Sequence, residues 1–205
     1  MRTRIKVCGI TRLDDALACM DAGVDAVGFN FWPGSKRHVT LAQASEIARS
    51  LPPGVLRVGV FVQAPPGEVA AAVSAVGLGA VQLHGDEDPA AYADAGAPLW
   101  QVLRIASVLP ESVSPQASEV LLDAKVEGFG GAGRTFDWSL ARGAGRYGLP
   151  FWLAGGLTPA NVGEAVRRAQ PPGVDVASGV ESRPGMKDRA LVKAFVAAVR
   201  AAEER

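Results

Sequence analysis

The sequence predicts an α/β protein folded as a single (β/α)8 TIM barrel, and three observations lead there. Eight short β-rich runs recur along the 205 residues, alternating with longer Ala/Leu-rich stretches of helical spacing. The runs are apolar at nearly every position, as strands covered by helices on both faces are. No linker or shift in composition divides the chain, so its 48% hydrophobic residues build one core in one domain spanning residues 1–205. An open doubly wound sheet is the other arrangement these units allow.

The elements follow in order. "RIKVCG" (4–9) opens the barrel, and a helix over 12–22 follows, capped by Thr11 or Asp14. "DAVGFNF" (25–31) precedes a helix over 40–50 that Thr40 caps, and "LRVGVFV" (56–62) precedes one over 66–76. "AVQLHG" (80–85) and a helix over 88–95 lead to "LWQVLRI" (99–105). The next crossover, 106–117, contains Pro110 and Pro115 and can hold only a short or broken helix. "EVLLDAK" (119–125) with a helix over 137–147, "PFWLAGG" (150–156) with one over 158–169, and "VDVASG" (174–179) with one over 188–203 complete the set. Thr158 and Pro159 suit the cap and first position of the helix between the last two strands. "LPPG" (51–54) and "QPPG" (170–173) fall where helix-to-strand turns belong.

Charge and composition exclude several function classes. Lys plus Arg and Asp plus Glu number 21 each, and the longest basic runs are Lys36-Arg37 and Arg167-Arg168. A nucleic-acid or anionic-membrane surface therefore has no electrostatic footprint. The N-terminal "MRTRIKVCGITRLDD" meets charges before it builds a secretory apolar region, and "VAAAVSAVGLGAVQL" (69–83) is too short and Gly-broken to span a bilayer. A cytoplasmic location is the expectation. The two cysteines, Cys8 and Cys19, form neither a disulfide framework nor a zinc site, and no metal or cofactor is expected.

In a barrel of this kind the active site forms at the C-terminal strand ends, which singles out Cys8, Asn30, His84, Asp123 and Ser178. An unpaired cysteine is commonly a small core residue, and Cys19, among Ala and Leu of the first helix, reads that way. Cys8 differs by position. Strand alternation places Lys6 on its side, where a cation favours thiolate over thiol, and Asp175 on the eighth strand is the expected partner of Lys6 inside the barrel. Asp123 closes the apolar run "EVLL", and burial there raises a carboxyl pKa and makes a general acid available; the bland alternative is a structural partner for a neighbouring strand.

Three glycine-bearing stretches follow late strands. Backbone N–H groups at Gly155, Gly156, Ser178 and Gly179, ahead of helix N-termini, suit the phosphate site that barrels build after strands 7 and 8. The loop after strand 6 carries Gly130, Gly131 and Gly133 as pivots for closure over a ligand. In "FWPGSKRHV" (31–39), Arg37 is either one charge of a solvated turn or a two-pronged grip on a substrate carboxylate. His84 is read as a pocket-lining residue, since neither it nor His38 has a partner at metal-ligand spacing.

"KVCGIT", "VGFNFWPGSKR", "VQLHGDE", "LLDAK", "GGAGRTFDW", "LAGGLTPANV" and "SGVESRPGMKD", in this order from residue 5 to about 195, closely resemble the phosphoribosylanthranilate isomerase family of tryptophan biosynthesis. The resemblance implies a cofactor-free and metal-free barrel acting on a small phosphorylated substrate by an Amadori rearrangement. It makes Cys8 the general base, Asp123 the general acid and Arg37 the holder of the anthranilate carboxylate, and gives the phosphate to the glycine loops after strands 6, 7 and 8. Ala177 stands where many relatives have Ser, which removes one hydroxyl contact, and Trp32 and Gly34 give the strand 2 loop its own shape. Family members occur as monomers and homodimers, and "FVQAPPG" (61–67) suits either. The competing readings are a metal-dependent epimerase or Schiff-base aldolase on the same barrel, and a barrel that binds a phosphorylated ligand as a non-catalytic sensor.

Overall fold

Eight parallel strands pair in sequence order and close into a barrel in the computed structural model, which describes residues 2–124 and 135–204. The strands are β1 (Arg4–Cys8), β2 (Ala26–Asn30), β3 (Leu56–Phe61), β4 (Ala80–Leu83), β5 (Leu99–Ile105), β6 (Ala117–Ala124), β7 (Phe151–Leu153) and β8 (Gly173–Val176). Closure comes from β8 pairing with β1, with Lys6 opposite Asp175 and Val7 opposite Val176. This settles the barrel over the open sheet.

Period-two alternation divides the core into two compartments. One cluster, containing Ala26, Val58, Ala80, Trp100, Val102, Leu121, Trp152 and Ala154, fills the inside of the barrel. The other, including Ile5, Val7, Val27, Phe29, Val81, Leu83, Leu122 and Val174, lies between the strands and the helices. Both faces of each strand are thus buried, which is why the strands read as continuous apolar runs. The floor of the barrel is closed by Trp100 and Trp152, stacked with centroids 4.9 Å apart. The Arg4 guanidinium lies 4.6 Å from the Trp152 ring centre and binds Glu119 at 2.7 Å, and the Trp152 indole N–H donates to that same carboxylate. Each such large apolar side chain stabilises the fold by about 1.5–3 kcal/mol.

Among the described residues five α-helices cover the outside: α1 (Leu13–Ala22), α2 (Leu41–Arg49), α3 (Pro66–Val76), α4 (Val162–Ala169) and α5 (Arg189–Glu203). Thr40 caps α2 in a full capping box with Gln43. Two expected caps are corrected. The residue ahead of α1 is Arg12, with no side-chain cap, and α4 begins at Val162 rather than near Thr158, because Asn161 folds back to accept from the Thr158 N–H and donate to the Gly156 carbonyl.

The crossovers expected as helices over 88–95 and 137–147 are instead 3-10 turns, Pro89–Tyr92 and Trp138–Tyr147. Gly143 and Gly145 weaken α propensity in the second, and 106–116, with its two prolines, contains no helix. After β8 a 3-10 turn (Ser178–Val180) leads into a hairpin of β9 (Glu181–Arg183) and β10 (Met186–Lys187), turned at Gly185 with φ of 80°. The hairpin is held to the β1 end by Thr11, whose hydroxyl donates to the Gly185 carbonyl. No helix among the described residues is long and apolar enough to cross a membrane.

Candidate active site

The C-terminal mouth is built on one side by β1, β2 and β8. Lys6 and Cys8 both face inward, and Lys6 Nζ lies 3.0 Å from Asp175 Oδ1 with the lysine fully buried. Burial alone would discharge this ammonium, but Asp175 and Cys8 outweigh it and raise the Lys6 pKa. Across the β1–β2 ladder Cys8 pairs with Gly28, where an added Cβ would sit 2.8 Å from the Cys8 sulfur. Gly28 therefore makes room for the thiol.

The expected thiolate bias of Cys8 needs correcting. Burial is the largest influence and raises its pKa, and the lowering by Lys6 and Lys187 does not overcome it. Burial thus favours the Cys8 thiol, with Lys6 and Lys187 nearby to make its anion reachable. Cys19 is a plain contrast: fully buried in α1, it is pushed up to about 12 by desolvation and serves packing.

The opposite wall comes from β4, β6 and β7. Asp123, near the end of β6, and His84, just past β4, approach with His84 Nε2 3.4 Å from Asp123 Oδ2. Gln82, two residues before His84 and 1% exposed, places its amide nitrogen 3.1 Å from His84 Nδ1. Gly155 adopts φ of 84°, and a Cβ there would sit 2.9 Å from Asp123 Oδ1 and 2.6 Å from the Ala124 nitrogen. Asp175 bridges the two walls electrostatically, since Lys6, Asp123 and His84 all act on its carboxyl.

Arg37 reaches the Cys8 side from the loop after β2. Its methylenes lie across Gly9, where an added Cβ would be 2.4 Å from Arg37 Cδ. Nε and Nη2 donate to the two oxygens of Glu181 at 2.8 and 2.7 Å. The Glu181 hydrogen bonds raise the Arg37 pKa. Lys187 donates to Glu181 Oε1 at 2.7 Å and to the Ala177 carbonyl at 3.1 Å, while its backbone N–H donates to buried Asp15. Burial works to raise the Glu181 pKa, yet its two cationic partners bring it below the ordinary value. Lys187 itself is lowered by burial in spite of Glu181. Trp32 lies over Gly34, where a Cβ would meet its ring at 2.5 Å, which gives this loop its shape.

The loops after β7 and β8 touch directly: a Cβ on Gly179 would fall 1.9 Å from the Leu157 carbonyl oxygen. Gly155, Gly156, Ser178 and Gly179 are thereby brought to one part of the rim, with positive φ at both Gly155 and Gly156. The expectation that α-helix N-termini follow them at once is corrected, since α4 starts only at Val162 and α5 only at Arg189, beyond the hairpin. Gly130, Gly131 and Gly133 lie outside the described residues. No group of three or more His, Cys, Asp or Glu suited to a metal occurs among the described residues.

Glu181, Lys187, Gln82 and Gly28 were not singled out from sequence. Glu181 and Lys187 sit in the quoted "SGVESRPGMKD", but only the hairpin geometry links them to Arg37. Gln82 carries the one readable signal, an amide in an otherwise apolar strand.

The arrangement offers a thiol and a carboxyl on facing walls of a blind mouth, a rim of backbone amides, and an oriented guanidinium. Residues 5–198 match the family model for N-(5'phosphoribosyl)anthranilate (PRA) isomerase. The N-(5'-phosphoribosyl)anthranilate isomerase of Myxococcus xanthus is 50% identical over 208 residues, covering 98% of this chain and 97% of that protein. The crystal structure of the Thermus thermophilus phosphoribosyl anthranilate isomerase superposes with a TM-score of 0.88 at 36% identity, covering 97% and 99% of the two chains. A phosphoribosyl anthranilate isomerase in complex with reduced 1-(o-carboxyphenylamino)-1-deoxyribulose 5-phosphate superposes at 0.83, also with 36% identity and coverage of 97% and 99%.

Proposed function

The chain belongs to the phosphoribosylanthranilate isomerase family, an aldose–ketose isomerase of tryptophan biosynthesis, and from that premise we propose that Cys8 is its general base and Asp123 its general acid. The substrate is N-(5-phosphoribosyl)anthranilate and the product 1-(2-carboxyphenylamino)-1-deoxyribulose 5-phosphate. Asp123 donates its proton to the furanose ring oxygen, the ring opens, and an iminium forms at C1. That cation acidifies the C2 hydrogen. Cys8 thiolate removes it to give an enolamine, which tautomerises to the ketone. Lys6 and Lys187 lower the cost of the thiolate, offsetting part of the burial that opposes it.

Arg37 holds the anthranilate carboxylate through the edge of its guanidinium that Glu181 does not occupy. The amides of Gly155, Gly156, Ser178 and Gly179 take the phosphate. Two anchors at opposite ends of the substrate keep C1 and C2 between acid and base, which converts positioning into rate. The observation that supports this reading best is that Cys8 and Asp123 share the inner, C-terminal lining of one barrel, Cys8 next to the Lys6–Asp175 pair and Asp123 next to the His84 imidazole.

The aldolase alternative needs a neutral lysine, whereas Lys6 is paired with Asp175 and held charged; Lys125, past Asp123 and the weaker candidate for that role, lies outside the described residues. Isomerisation followed by loss of substrate fluorescence, for wild type, Cys8→Ala and Asp123→Asn, tests the assignment. Turnover should fall by roughly 10²–10⁴ in each variant. Undiminished turnover in either removes that residue's role, and binding of a phosphorylated ligand without turnover in wild type would favour the sensor.

A further inference from the structure

We propose that Gln82 is a positioning residue of the isomerisation, fixing His84 as the Nε2–H tautomer so that the imidazole donates to Asp123. A neutral imidazole has one N–H and one bare nitrogen, and its partners decide which is which. The Gln82 amide nitrogen, a donor only, stands 3.1 Å from His84 Nδ1, which must then be the bare nitrogen. The proton is left on Nε2, which lies 3.4 Å from Asp123 Oδ2 and makes no hydrogen bond in the resting geometry, so that the donation closes as Asp123 ionises. With the amide reversed, the proton would move to Nδ1 and Nε2 would have no hydrogen to offer the carboxylate that forms on Asp123.

The location of Gln82 argues that this contact is its purpose. It lies on the inner face of β4, two residues before His84 and in line with it, and is 1% exposed among Ala80, Val81 and Leu83. An apolar side chain would fill that space without the cost of burying an amide. Asp175 and Lys6 act on this corner as an ion pair, and Arg104, opposite Asp123 on β5, binds Asp86.

The inference rests on the proposed acid role of Asp123. As Asp123 gives up its proton, negative charge appears on the carboxylate, and an Nε2–H only 3.4 Å from Oδ2 stabilises it by closing that short distance. Oδ1, on the Gly155 side, is left to carry the proton that is transferred. Gly155 has no side chain to obstruct it.

The test reads the tautomer directly. The chain has two histidines, so ¹⁵N-detected spectra of the ring nitrogens, with His38→Asn to assign them, resolve His84 without substrate at about pH 8. Wild type should show a protonated Nε2 and a bare Nδ1. Gln82→Met should erase that preference and lower kcat roughly tenfold with KM changed less, and Gln82→Glu, which presents only acceptors, should move the proton to Nδ1. An Nδ1–H tautomer in wild type overturns the proposal even if neither variant folds, as does a Gln82→Met spectrum and kcat matching wild type. Full activity of Asp123→Asn would instead overturn the acid assignment while leaving the tautomer reading intact.

Discussion

Glu181 grips Arg37 edge-on, its two oxygens accepting from Nε and Nη2 at 2.8 and 2.7 Å. The guanidinium is therefore already oriented, and the hydrogens on its other edge are the ones a substrate carboxylate can meet. Lysine cannot reproduce two such edges. Arg37→Lys should raise KM by roughly 10- to 150-fold, matching loss of a charged hydrogen-bond set worth about 1.5–3 kcal/mol, with a smaller change in kcat. Glu181→Gln should move KM the same way but less, because the side chain keeps its shape. Steady-state kinetics of the two variants checks the order.

The acid and base must begin in opposite protonation states, so turnover should follow a bell-shaped pH profile belonging to the coupled pair. Because burial holds the Cys8 pKa above its ordinary value, the alkaline limb should lie above that of an exposed thiol. The sign for stability agrees. A pKa raised on folding gives stability that is full below the unfolded value and is lost as pH rises through the folded one. Kinetics across neutral and alkaline pH, with thiol titration of the free enzyme, measures both.

Lys6→Met removes the larger of the two cationic influences on Cys8 and should push its titration further up. It also strands Asp175, and breaking a buried pair on one side costs about 3–5 kcal/mol. Lys6→Met combined with Asp175→Asn should regain part of that stability. Thermal or denaturant unfolding reports the regain, and thiol titration of the folded double variant reports the Cys8 shift.

Gly155→Ala and Gly28→Ala probe the two walls separately. At Gly155 the new methyl meets the Ala124 nitrogen at 2.6 Å and Asp123 Oδ1 at 2.9 Å, on a backbone with φ of 84°. At Gly28 it meets the Cys8 sulfur at 2.8 Å. Each should destabilise the fold by about 1–3 kcal/mol. Each should also lower kcat by roughly tenfold or more, since small displacements of reacting groups are costly. Activity assays beside unfolding curves separate the two effects.

The barrel was legible because its strands are buried on both faces, so each of the eight appears as an apolar run regardless of what covers it. Cys8, Asp123, Lys6 and Asp175 were legible for a related reason: once strand ends are located, alternation states which side chains face inward. What escaped is set by contacts between distant segments. The Glu181 link to Arg37 spans 144 positions and depends on a hairpin whose pattern is too short to announce itself. The 3-10 crossovers escaped because Ala-rich composition suggested α-helix where Pro89, Gly143 and Gly145 favoured tighter turns. The thiol's upward shift escaped because counting nearby cations says nothing about how much water surrounds them.

Trp100 and Trp152, stacked across the floor with Arg4 and Glu119 beneath, make the cavity a cul-de-sac. Whatever is made inside must back out through the doorway by which its precursor came in. Arrival and departure cannot overlap, so accumulated product should act as a purely competitive inhibitor.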